Sequence, residues 1–144
     1  MAKGYRYLEK FVTADMAFEA FGKDLDELFE NSALALAEAM VHLETVAPKV
    51  KKEIKLEHAS LQGLLIDFLN EIIYFKDAGP LFLTKFKVKV KKEVEVWKLT
   101  AVAWGEKVNF DKHKVEADVK AATWHMLELN QKGKQWYARV VLDI

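Results

Sequence analysis

A chain of 144 residues, 51% hydrophobic and 31% charged, has the size and composition of a single folded unit with one core, which argues against a disordered chain. Its 22 basic residues balance 22 acidic ones, so no bulk positive field draws it to nucleic acid, and any RNA is expected to be reached only indirectly, through a partner. There is no cysteine, which excludes disulfides and thiolate zinc sites; with no secretory h-region and no apolar run near ~18 residues, the expected location is the cytoplasm, away from membranes.

Residues 5–12 and 16–21 read as two short strands on either side of Thr13-Ala14-Asp15. A helix follows. Asp24 with Glu27 three positions later forms a capping box, and Leu25, Leu28, Phe29, Leu36, Met40 and Leu43 recur at helical spacing until Pro48 forbids continuation. After an intervening strand, a second helix opens near Ser60. Its stripe of Leu61, Leu64, Leu65, Phe68, Leu69, Ile72 and Phe75 follows the 3.6-residue period, and Gly79-Pro80 stops it.

From residue 82 onward the period changes to two. Phe82, Thr84, Phe86, Val88 and Val90 alternate with Leu83, Lys85, Lys87, Lys89 and Lys91, the pattern of a half-buried strand. Lys91-Lys92-Glu93 can turn the chain into a partner over residues 94–104, whose two faces both carry apolar side chains and leave its inward phase open. Strands are expected over residues 115–122, 123–130 and from 135 to the end, with Gly133 in the last hairpin. No linker or repeat divides the chain, so residues 1–144 are taken as one compact domain. The fold class is α+β, with largely antiparallel or mixed sheets packed against two amphipathic helices.

Most catalytic chemistry is excluded. Six scattered glycines form no phosphate loop. Ser32 and Ser60 lack a nucleophile elbow and read as helix-face and cap residues. The four histidines show no ligand spacing, and His125, between Trp124 and Met126, reads as packed and hydrogen-bonded in or near the sheet. Asp67 and Glu71, one helical turn apart with Asn70 between them, could hold a hard cation or touch a partner, although that spacing is more often a solvated face. The comb of Lys85, Lys87, Lys89 and Lys91 could meet phosphates, but the favoured role is protection of a sheet edge. Asp15 and Asp143 interrupt apolar surroundings, where a carboxylate needs a basic neighbour, a proton or a cation. If the strands carrying them are neighbours, the two carboxylates and an oxygen of Ile144 would converge as ligands for calcium or magnesium; unrelated turn and terminus acids are the simpler alternative.

The stretch over residues 7–36 resembles the opening of the archease family: an aromatic strand, a TAD turn at 13–15, then GKDLDELFENSAL at 22–34. The likeness continues through LLIDFLNEIIY at 64–74, WGE at 104–106, DKH at 111–113, VKAATWH at 119–125 and ARVVLDI at 138–144. These segments cover nearly the whole chain in the family's order. The resemblance implies a non-enzymatic activator that promotes guanylylation and multiple turnover of the GTP-dependent RNA ligase of tRNA splicing. It implies a divalent cation, of the calcium kind, on the Asp15 and Asp143 carboxylates and the Ile144 main-chain oxygen. Lys120 and His125 fit the motif as ligase contacts. Val12 stands where the family commonly has His. Two rival functions remain: a metal-independent, chaperone-like modulator of nucleic-acid enzymes acting through apolar surface, and a small metal hydrolase centred on Asp15, Asp143 and His125.

Overall fold

Both helices form where the periodicity places them, and the expected caps hold their ends. In the computed structural model, which describes residues 3–8 and 15–144, α1 spans Leu25–Met40 and α2 spans Leu61–Ala78. The Asp24 side chain accepts from the Glu27 N–H at 2.9 Å, and Ser60 Oγ accepts from the Gly63 N–H at 2.9 Å, satisfying donors that a helix start leaves unpaired. Leu43 falls outside α1, in a separate 3-10 turn at Leu43–Thr45.

Seven antiparallel strands, β1 (Tyr5–Leu8), β2 (Asp15–Gly22), β3 (Val50–His58), β4 (Leu81–Glu93), β5 (Val96–Lys107), β6 (Ala121–Lys132) and β7 (Gln135–Asp143), form two sheets among the described residues. Their orders are β1-β2-β7-β6 and β3-β5-β4. α1 packs on β1, β2 and β7 and also on β4, while α2 packs on β6 and on β3, β4 and β5. The helices therefore lie between the sheets. That position explains why α2 is buried beyond its predicted stripe, at Ile66 and Ile73 as well: each helix meets apolar surface on two sides. Phe29 of α1 and Phe68 of α2 stack at 6.2 Å between ring centroids, at the centre of a core to which both sheets contribute.

Both sheet edges that face the helices are closed by helix side chains. On β4, the N–H groups of Val88 and Val90 donate to Glu30 and Asp26 of α1, each at 2.8 Å. On β6, Asn70 of α2 accepts from the Ala122 N–H at 2.8 Å and donates to the Ala122 carbonyl at 3.1 Å. Backbone groups that would template another chain are thereby occupied. The β4 edge is thus closed by α1 carboxylates rather than by the lysine comb favoured for that role.

Three strand expectations are corrected. No strand forms over residues 115–120; the N–H groups of Glu116 and Ala117 instead donate to the Met40 and Ala39 carbonyls, satisfying acceptors that the end of α1 leaves open. The turn after β4 is at Val94 and Glu95, with Glu95 at φ 65°, not at Lys91-Lys92-Glu93. A register shift between Leu83 and Lys85 breaks the alternation at the start of β4: Phe82 is buried in the main core as expected, in a T-shaped contact with His113 at 5.6 Å between ring centroids, but Leu83, opposite Gly105, is buried as well. The open phase of β5 is settled by Leu99, Ala101 and Ala103, which face inward, leaving Val102 and Trp104 outward. No helix of the described residues is long and apolar enough to cross a membrane.

The WGE and DKH segments meet in a polar lock. Glu106 receives hydrogen bonds from Lys112 Nζ at 2.8 Å, the Ala47 N–H at 3.0 Å and His113 Nε2 at 2.9 Å. His113 Nδ1 accepts from the Asn109 N–H at 3.0 Å, which leaves Nε2 as the donor to Glu106. Lys112, then Ala47 and His113, hold the Glu106 carboxyl far below the ordinary glutamate range. A carboxyl whose folded value is depressed stabilises the fold fully above its unfolded value of about 4.3, and that contribution is lost as pH falls toward the folded value. Glu106→Gln is therefore expected to lower the thermal midpoint at neutral pH, with the gap to the parent narrowing only below about pH 4. Thermal scans from neutral to strongly acid pH check this; a gap that first opens in acid would contradict it.

Candidate functional site

The strands that carry the two candidate acids are neighbours. β2 pairs with β7 in a register that sets Asp15 directly opposite Asp143, Met16 opposite Leu142 and Phe18 opposite Val140. Met16, Phe18, Val140 and Leu142 belong to the core between the sheets, so period two turns Asp15 and Asp143 to the outer face. Directly opposed residues share a face, with Cβ atoms about 4.5–5.5 Å apart. Two residues 128 positions apart in sequence, 143 less 15, thus form one acidic corner.

Burial is not what holds these acids. Asp15 is half-buried and Asp143 exposed, which corrects the premise that apolar surroundings desolvate them. Ala17 and Val141, the next residues on that face, are buried, so the carboxylates project from a closed apolar floor. Like charges directly opposed on a sheet destabilise it, and the described residues place no basic side chain in an ion pair with either acid. Ile144 packs against the core and fixes the chain beyond Asp143. The donor set is oxygen throughout, and two carboxylates at this separation can reach one hard cation with oxygen distances of about 2.3–2.6 Å. Among the described residues no group of three Asp, Glu or His side chains converges as a cage; the pair fits as two ligands of a larger oxygen set. Val12, Thr13 and Ala14 lie outside the described residues.

The remaining candidates gather along β6. Lys120 is exposed, and its backbone N–H donates to the Asp143 carbonyl at 2.7 Å, so it stands beside the corner. Its neighbour Ala121 opposes Asp143 from the other side of β7. Thr123 opposes Val141 and Glu128 opposes Arg139, so residues 124–127 on β6 face only Val140 on β7, a bulge that ejects part of the strand. His125 lies in it, exposed, which corrects its assignment as a packed residue. Trp124 and Met126 are also exposed, at 56% and 47%. Met126 takes a left-handed φ of 53°, rare for a side chain of its size, and Arg139 holds its carbonyl through Nε and an Nη, each at 3.2 Å. The two hydrogen bonds between the Asn70 side chain and the Ala122 backbone bring the turn of α2 carrying Asp67 and Glu71 to the edge of β6. Asp67 is exposed and Glu71 half-buried.

Sequence patterns missed the bulge, the Arg139 clamp and the Asn70 clamp. The apolar alternation of β6 slips by one residue at Met126-Leu127, the one sign of the bulge that the sequence carries, and Asn70 reads from sequence only with Asp67 and Glu71 as a candidate ligand. A profile of the Archease protein family matches residues 5–144. The protein archease of Methanosarcina mazei is 36% identical over 143 residues, covering 99% of this chain and 97% of its own. That of Pyrobaculum neutrophilum is 37% identical over 142 residues, covering 97% and 95%. The solution structure of Methanobacterium thermoautotrophicum protein 1598 superposes with a TM-score of 0.85 at 35% identity, covering 99% of this chain and 100% of that one. A crystal structure from Thermotoga maritima, described as an archease and possible chaperone, shares the fold with a TM-score of 0.62 at 22% identity, covering 96% and 99%.

Proposed function

The chain belongs to the archease family, and from that premise we propose that it is a non-enzymatic activator of the GTP-dependent RNA ligase of tRNA splicing, working in the cytoplasm and through a divalent cation such as calcium. The observation that carries this reading is the pairing of Asp15 with Asp143 across β2 and β7. Like charges directly opposed across two strands do not favour folding, and a binding role accounts for the pair where a folding role does not. A bound cation would supply positive charge that offsets the repulsion between the carboxylates.

The chain's own residues then have defined tasks. Asp15 and Asp143 hold the ion, the packed Ile144 fixes the strand end and would lend its main-chain oxygen, and Lys120, His125, Asp67 and Glu71 offer polar and charged side chains along the neighbouring β6 edge for the ligase to meet. An activator of this kind needs only to bind the guanylylation-competent state of its partner better than the alternative. Multiple-turnover ligation of tRNA halves tests the role: with chelator-stripped protein the ligase is expected to stop near one product per enzyme, and calcium restored to the protein is expected to restore repeated turnover. Full stimulation by the stripped protein would remove the cation from the mechanism.

The exposed Trp124 and Met126 favour a second reading, a metal-independent, chaperone-like contact through apolar surface. Trp124→Ser with Met126→Ser would then abolish stimulation while the stripped protein remained active.

A further inference from the structure

A net charge of zero conceals a strongly basic surface. The outward face of the β3-β5-β4 sheet carries Lys51 and Lys55 on β3 and Lys85, Lys87, Lys89 and Lys91 on β4, all exposed. The registers align them in rows across the sheet: Lys51, Trp104, Lys85; then Glu53, Val102, Lys87; then Lys55, Thr100, Lys89. The central strand's own lysine, Lys98, is neutralised by Glu93 at 3.0 Å. Between the two lysine edges runs an open groove of about 400 Å³, floored by Thr100, Ala101 and Val102. We propose that this groove binds the phosphate backbone of single-stranded RNA.

Four observations select that occupant. The β4 lysines are not needed at the sheet edge, because Glu30 and Asp26 already occupy the edge N–H groups of Val88 and Val90. Alternate residues on a strand stand about 6.7 Å apart, a spacing commensurate with successive phosphates of an extended strand, and four such lysines follow one line. A basic groove that tracks one backbone is the electrostatic half of single-strand binding, the other half being aromatic rings on which bases stack. Lys85 lies over the Trp104 ring at 5.3 Å, which covers the one large aromatic of the face and makes phosphate contact, rather than base stacking, the recognition mode. An anionic membrane fits poorly, since the hairpin tip beside the groove is Glu93-Val94-Glu95. Glu53 lines the groove and opposes a polyanion. The proposal stands apart from the ligase reading, which placed RNA with the partner alone.

Four backbone contacts would give a log–log salt slope near −2.8, or about 50-fold weaker binding between about 50 and about 200 mM salt. Fluorescence anisotropy with a labelled oligouridylate checks this on the full chain, with a duplex RNA and anionic phosphatidylserine vesicles as competitors. Lys87→Glu with Lys89→Glu is expected to weaken binding at least about tenfold and flatten the salt slope by about 1.4. The matched control, Lys114→Glu with Lys134→Glu, makes the same charge change off the face and is expected to alter binding less than about twofold, while Glu53→Gln tightens it. Equal losses in the two reversal variants, no binding at about 50 mM salt, or stronger competition by duplex or vesicles than by unlabelled single strand would overturn the proposal.

Discussion

Asp15→Ala is expected to abolish stimulation of the ligase and at the same time leave the fold intact and slightly more stable. The two effects have opposite signs because the same contact underlies both. Asp15 opposes Asp143 with no intervening residue, so removing one carboxylate relieves the like-charge contact. The core residue Phe18 and Met16, which packs against the core, are untouched because they face the other way. The same change removes half of the acidic corner. Calcium at about 100 times its dissociation constant should stabilise the parent by about 2.7 kcal/mol and the variant hardly at all. Asp143→Ala is expected to behave alike. Thermal midpoints with and without calcium, read beside multiple-turnover ligation, check the set. A variant that stimulates like the parent would eliminate the corner from the mechanism, whereas a variant that loses stability would mark the acids as structural.

Gly105→Ala is expected to destabilise the fold by about 3 kcal/mol or more, a large fraction of the 5–15 kcal/mol typical of a small protein. A Cβ at this position would sit 1.7 Å from the Phe82 carbonyl oxygen, far inside contact distance and against backbone rather than a movable side chain. The close approach lies beside the register shift between Leu83 and Lys85 on β4. Relief by movement is blocked: β5 is the central strand, paired with β3 on one side and β4 on the other, and the Gly105 carbonyl accepts from the Lys49 N–H at 2.9 Å. Denaturant titration measures the loss, and Gly133→Ala provides a contrast. Gly133 has φ 64° but nothing within 4 Å, so its cost is conformational, about 1 kcal/mol. Equal, small losses at the two positions would show that β4 can yield.

Helix positions and caps were legible because their causes lie within a few residues of the effect. Asp24 and Ser60 cap the helices they precede, and the apolar period of residues 61–75 specifies a helix whatever it later packs against. The two-residue alternation around the β4 lysines was equally plain, and their common face follows from it. The candidate acids could be named, and the archease motifs joined them, but their meeting could not be derived from spacing. That required β2 to lie beside β7, and strand neighbours far apart in sequence are chosen by how the apolar faces of both sheets close over the helices.

Local chemistry in the sequence thus determined the elements, their polarity and the residue types available for function. Only the tertiary structure decided which of those residues share a place. The β6 bulge that exposes Trp124, His125 and Met126 depends on Arg139 reaching across from β7. The edges of β4 and β6 are closed by Asp26, Glu30 and Asn70 from helices elsewhere in the chain. Charge shows the same division. The total is a sum over composition, but the field at a surface depends on which charges fold onto one face, and a chain with 22 of each sign can present lysines on one sheet and carboxylates on the other.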